Sequence, residues 1–335
     1  MTLSISSPRA ALLLFCFCIS ICITHAAITP STYCPTTAPL IALDIATTCP
    51  ASAFDNSGKV PLPRETTTTR SSSSKPTDAP AMSAIRRTAP LVFPAPQKHT
   101  ATVIFAHGLG DTGHGWASAV ENWRRRQRLD EVKFVLPHAP SIPITANMGM
   151  SMPGWFDIRS RESNVTYAKF KQQKMLDGTV ESLRAHEDEA GVRVSVAYFN
   201  ELIQAEVDAG IPSERIVLGG FSQGGAMALY TGLTNGKRLG GVVGLSSWLV
   251  LSNRFTEEVK DEARQVNKAT KVFMGHGGSD QLVRTELGVM SAEGLRGLGY
   301  DVTLQIYPGM QHSACLEELD DVENFLLKQI PALEK

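Results

Sequence analysis

Short runs of apolar and β-branched residues recur between residues 102 and 307, separated by longer amphipathic stretches. The runs predict strands at Thr102–Ala106, Val132–Leu136, Arg215–Gly219, Gly241–Leu245, Lys271–Gly275 and Val302–Tyr307. Val196, Phe199, Ile203 and Val207 recur three and four residues apart, which places them on one face of a helix over Val192–Asp208 that Gly210 brings to a stop. A last helix is predicted over Leu316–Ile330. Strands alternating with helices predict an α/β fold, with a mostly parallel central sheet covered by helices on both faces, in a single domain.

Upstream of Met82 the pattern changes. Arg9 precedes an apolar run from Ala10 to Ile23, and small residues follow at Ala26 and Ala27. Residues 1–27 thus have the form of a secretory signal peptide, too short for a membrane span. Residues 28–81 are rich in Thr, Ser, Pro and Ala, a composition that buries too little apolar surface to offset its ordering entropy, and they are expected to be disordered. The globular domain is expected over 82–335, with a polar surface loop at about 159–179 carrying the sequon Asn164-Val165-Thr166.

A net charge of −1 with 19% charged residues gives no reason to expect a nucleic-acid partner. The run Arg124-Arg125-Arg126-Gln127-Arg128 reads as a solvated basic face at a helix end, or alternatively as weak attraction to an acidic membrane surface. Of the six cysteines only Cys315 falls in the globular part, so no disulfide framework is possible there and the domain has the character of a reducing compartment. The amino terminus points to secretion and the body to the cytoplasm, extending to the nucleus. A start at Met82 would reconcile the two, and the cytoplasm is the expectation.

Gly219-Gly220-Phe221-Ser222-Gln223-Gly224-Gly225 joins a predicted buried strand to the helix-forming Ala226–Tyr230. This is either a plain glycine-rich turn or a nucleophile elbow, in which small residues at 220 and 224 make room for a serine in strained torsions. A triad on this fold follows the chain order serine, acid, histidine. Two histidines lie downstream, His276 and His312; order favours His312, beyond the last strand. Asp280, on a loop at the end of a strand, is the best acid, while Asp301 and Asp320 read as surface carboxylates.

His107-Gly108-Leu109-Gly110-Asp111-Thr112-Gly113 follows the first predicted strand and contains the dinucleotide spacing G-x-G-x-x-G. The next strand ends in Leu136-Pro137-His138 and lacks the acid that would hold a ribose, whereas the same turn can offer backbone N–H groups to an oxyanion. Met148, Met150 and Met152 alternate ahead of Trp155, suggesting an extended segment whose flexible apolar face serves an acyl chain or the core. No H-E-x-x-H or cysteine cluster calls for a metal, and no cofactor is expected.

The blocks HGLGDTGHGW from His107, MPGWFDI from Met152, RIVLGGFSQGGAMALYTGLT from Arg215, GLSSWL from Gly244, GHGGSDQLV from Gly275 and YPGMQHSAC from Tyr307 closely resemble the thioesterase and lysophospholipase family of α/β-hydrolases. The resemblance covers residues 82–335 and implies the α/β-hydrolase fold. It implies Ser222 as nucleophile, Asp280 as acid, His312 as base, and oxyanion donors from the backbone of Leu109 and Gln223. Met148, Met150, Trp155, Trp248 and Leu249 are the candidate substrate contacts. The implied substrates are S-palmitoylated proteins, G-protein α subunits and other lipidated signalling proteins among them, with lysophospholipids and oxygen esters as weaker alternatives and transient contact with a membrane surface. A catalytically silent acyl-chain carrier is the alternative of another class. Gln281 and Arg284 replace two prolines of the family's acid loop, an expected loss of its rigidity; Val250 replaces the proline of the separate W-L-P segment, and the connection after Ile158 is longer than the family's.

Overall fold

Among the described residues, six of the sheet's seven strands run parallel, in the order β1-β3-β2-β6-β7-β8-β9, and only β1 at the edge pairs antiparallel. They are β1 (Leu91–Phe93), β2 (Ala101–Ala106), β3 (Val132–Leu136), β6 (Ile216–Phe221), β7 (Gly241–Leu245), β8 (Lys271–Gly277) and β9 (Asp301–Tyr307). The short β4 (Ser141–Ile144) and β5 (Met150–Pro153) form a separate hairpin. The structure, a computed structural model, describes residues 87–159, 187–260 and 262–333. The expected leader at 1–27 and the Ser/Thr/Pro-rich segment at 28–81 lie outside the described residues. So does the polar loop with its sequon at Asn164, Arg159 apart.

The inner strands β2, β6 and β7 are buried on both faces because both faces carry helices. Adjacent residues of a strand point to opposite sides, so Ile104 joins Leu218, Met227, Phe199 and Ile203 in one core, while Phe105 joins Trp116, Trp123, Phe134 and Leu326 in the other. The first core is closed by α2 (Glu189–Asp208), α3 (Gln223–Thr234), α4 (Ser252–Glu258) and α5 (Thr285–Gly297), and the second by α1 (Ala117–Arg125) and α6 (Leu316–Gln329). Of the predicted helical stripe Phe199 and Ile203 are buried, while Val196 and Val207 are half-buried against the same core.

Three features differ from the sequence expectation. β6 continues two residues past Gly219 and so delivers Ser222 at the tip of a strand. The methionine segment is not one extended run: Met150 and Met152 lie in β5, whereas Met148 sits in the hairpin turn with φ 55°. The basic run is not simply solvated, since Arg126 and Arg128 both bond the buried Glu323 of α6 and tie α1 to the last helix.

Candidate active site

The chain reverses its direction of growth across the sheet between β2 and β6, and loops at the carboxyl ends of these strands flank a crevice in which open α/β sheets bind ligands. Ser222 stands in it, between β6 and α3, with φ 54° and ψ −122°. A non-glycine residue holds such torsions only where its surroundings fix them. Its N–H donates to the carbonyl of Leu245 at 2.8 Å. The flanking glycines are sterically required: a Cβ on Gly220 would meet the backbone of Gly224 at 2.5 Å, and one on Gly224 would strike the carbonyls of Ala106 and His107.

The loops after β8 and β9 supply the partners. His312 Nε2 lies 2.9 Å from Ser222 Oγ, and its Nδ1 lies 2.7 Å from Asp280 Oδ2. All three side chains are largely buried. The other Asp280 oxygen accepts the N–H groups of Leu282 and Val283, both at 2.9 Å, so the carboxylate braces the loop from which the expected prolines are missing. His276, the competing histidine, is fully buried and donates from Nε2 to the carbonyl of Val283 at 2.8 Å. Burial depresses its pKa and keeps it neutral. It supports the acid loop and does not reach the serine. Asp301 and Asp320 pair with Lys271 and Arg126 at the surface.

Ser222, Leu109 and Gln223 all line one apolar cavity of about 290 Å³, walled also by Ile144, Met152, Trp248, Leu282 and Leu287. Gln223 is the first residue of α3, so its N–H has no acceptor within the helix. The G-x-G-x-x-G turn differs from a dinucleotide site, because Gly108 packs directly on Ser222, where an added Cβ would meet Ser222 Cβ at 3.3 Å. Among the expected substrate contacts only Trp248 lines the cavity. Met148 and Met150 are exposed on the adjacent hairpin, Leu249 is buried with its N–H on Ser291 Oγ, and Trp155 is buried beneath the oxyanion turn. Ile144, Leu282 and Leu287 carry no local sequence signal, since a lone apolar residue on a loop or helix does not show which space it faces. Asp111 lines the cavity as well, and burial raises its pKa.

This geometry can shuttle a proton from serine to a carboxylate-oriented imidazole at the edge of an apolar cavity. Its relatives are consistent with that. The sequence pattern of a phospholipase/carboxylesterase family matches residues 88–183 and 176–330. Acyl-protein thioesterase 1 of Gibberella zeae is 61% identical over 245 residues, which make up 73% of this chain and 97% of the relative. The protein of the same name from Neurospora crassa is 57% identical, over 75% of this chain and 95% of its own. Among solved structures, acyl-protein thioesterase 2 of Zea mays is 27% identical and superposes with a TM-score of 0.59 over 72% of this chain and 98% of its own. The elbow, the ordered triad and the matched length together establish that the chain belongs to the phospholipase/carboxylesterase family of α/β-hydrolases.

Proposed function

We propose that the protein is a serine thioesterase that removes palmitoyl and similar fatty acyl groups from S-acylated cysteines of proteins, lipidated signalling proteins such as G-protein α subunits among them. The observation that carries this reading is the Ser222–His312–Asp280 relay at 2.9 and 2.7 Å, opening onto an apolar cavity. The 61% identity to a protein named acyl-protein thioesterase 1 supports the choice of substrate.

Ser222 Oγ attacks the thioester carbonyl while His312 Nε2 takes its proton, and Asp280 holds the imidazole tautomer and stabilises the cation that forms. The N–H groups of Leu109 and Gln223 receive the oxyanion, each such donor contributing about 3 kcal/mol to lowering the barrier. The cysteine leaves as a thiolate, whose conjugate acid has an ordinary pKa of about 8.5. Protonation of the leaving group is therefore less demanding than in an ester or amide. Water then repeats the sequence on the acyl-enzyme, with His312 again as base.

Lipidated substrates lie at membrane surfaces, and the rim of the cavity suits transient contact with one. Met148 is 69% exposed and Met150 50% exposed on the hairpin, and Leu282 is 56% exposed on the acid loop. The single, free Cys315 of the domain supports a reducing location, the cytoplasm and by extension the nucleus, where the acylated faces of such substrates are found.

The test is turnover of an S-palmitoyl peptide beside a lysophospholipid and short oxygen esters, with the full chain. A kcat/KM highest for the palmitoyl thioester is expected. Preference for lysophospholipid would instead make this a phospholipase on the same site.

A further inference from the structure

The oxyanion turn is held by side chains that the reaction itself does not use. His107 is fully buried at the end of β2. Its Nε2 lies 3.1 Å from the backbone N–H of Ala139, which can only donate, so Nε2 carries the lone pair and the ring hydrogen sits on Nδ1. Nδ1 then donates to the carbonyl of Gly108 at 2.7 Å. Burial lowers the His107 pKa to about 4, so this neutral tautomer is kept at neutral pH.

The Gly108 carbonyl and the Leu109 N–H belong to one planar trans peptide and point in opposite directions. Fixing the carbonyl therefore fixes the N–H. Turned over, the same peptide would aim a carbonyl oxygen at the developing oxyanion, replacing attraction with repulsion. Glycine at 108 leaves the backbone freer to make such a turn; within the turn the Gly108 carbonyl also accepts the Asp111 N–H, but at 3.3 Å, so the 2.7 Å bond from His107 is the tighter restraint.

Trp155 supplies a second restraint. Its indole Nε1 donates to the carbonyl of His107 at 2.8 Å, and its ring lies on the imidazole with centroids 5.1 Å apart. Its own backbone N–H donates to Gln223 Oε1 at 2.8 Å, and Gln223 Nε2 donates in turn to the carbonyl of Phe156 at 2.7 Å. One residue thus holds the peptide immediately before the Gly108–Leu109 unit and the side chain of Gln223.

We propose that His107 and Trp155 are positioning residues that lock the Gly108–Leu109 peptide with its N–H toward the oxyanion, Trp155 also tying this donor to the one at Gln223. The proposal rests on Ser222 being the nucleophile of an acyl-transfer site. Restraints of this kind act on the transition state, where charge has developed on the carbonyl oxygen, and hardly on ground-state binding.

Trp155→Phe keeps the ring and removes the indole donor. His107→Asn keeps an N–H near the Nδ1 position, and His107→Ala removes it. Each would be compared with wild type for kcat and KM on a short p-nitrophenyl ester, for inhibition by a trifluoromethyl ketone that forms a tetrahedral oxyanion, and for Tm. We expect Trp155→Phe to lower kcat by about tenfold or more, and His107→Ala by about 100-fold, the scale of losing one oxyanion donor. KM should stay within about twofold, ketone affinity should fall in step with kcat/KM, and His107→Asn should recover much of the loss. If His107→Ala does not fold, Trp155→Phe decides alone. Folded variants with unchanged kcat, or with the loss entirely in KM, would overturn the clamp while leaving the hydrolase reading intact. A wild-type protein that neither hydrolyses the ester nor binds the ketone would overturn both.

Discussion

His276 Nε2 and Asp280 Oδ2 stand 3.6 Å apart, yet the hydrogen of His276 goes to the carbonyl of Val283 at 2.8 Å. The carboxylate is thereby left to His312, whose Nδ1 is 2.7 Å away. Two histidines adjoin the acid, and only one has the serine on its other side. Ser222→Ala is expected to abolish both turnover and labelling by a fluorophosphonate, and His312→Ala to lower kcat by about 10⁴-fold or more. His276→Gln, which can keep a donor to Val283, should retain turnover within about tenfold. Parallel assays and labelling of the three variants distinguish them; labelling of Ser222→Ala would disprove the elbow assignment.

Gly224 is expected to tolerate no side chain. A Cβ there would lie 2.5 Å from the carbonyl of His107 and closer still to that of Ala106, and both are backbone atoms of a central strand and its adjoining turn that cannot swing aside. Gly224→Ala should push α3 off β2, destabilise the protein by about 3 kcal/mol, within the range of overpacked cores, and displace Ser222 from His312. Denaturant titration together with ester turnover would check both effects; a variant of unchanged stability and rate would show the contact to be soft.

Glu318 gives a pH dependence of stability. It is fully buried in the first turn of α6, against Gly275, and among the described residues neither carboxyl oxygen has a hydrogen-bond partner. Desolvation, with Asp321 nearby, raises its pKa from 4.5 to about 8. Between these values the folded state holds a proton that the unfolded chain has lost, so stability falls as pH rises through this window and the loss is complete above about pH 8. Glu318→Gln, a permanently neutral analogue, should match wild type near pH 5 and exceed its Tm by several degrees near pH 9. A constant difference across that range would place the origin of the shift elsewhere.

The sheet was legible because parallel strands buried on both faces read as uninterrupted apolar runs, and β7 was predicted to the residue. β1 was not, because three residues at an edge carry no period. Ser222, Asp280 and His312 could be paired by chain order on a known topology, an argument that needs no coordinates. Side chains around Ser222 are another matter. Trp155 looked like part of an acyl path because it adjoins the methionine segment, but its indole points under the turn to the His107 carbonyl. Its 2% exposure follows from packing against Phe199 of α2, a contact 44 residues away in the chain. Such a contact depends on where elements meet, which local pattern does not encode.

The cavity makes a quantitative claim about acyl length. Its walls at Ile144, Met152, Trp248, Leu282 and Leu287 are apolar, so each methylene that enters is worth about 0.8 kcal/mol. Four added methylenes, from butyryl to octanoyl, then represent about 3 kcal/mol, or roughly a 100-fold rise in kcat/KM if all are buried. Leu282 is 56% exposed, so Leu282→Asp should leave the fold intact while placing a charge where the chain leaves the cavity. Butyryl, which does not reach the rim, should be hydrolysed at nearly the wild-type rate, and palmitoyl substrate at least about tenfold more slowly, because a carboxylate resists burial beside an acyl chain. Equal losses for the two would mean that Leu282 acts on the Asp280 loop instead; a rise confined to short chains in the wild-type series would mean that long chains leave the cavity early and lie on the hairpin.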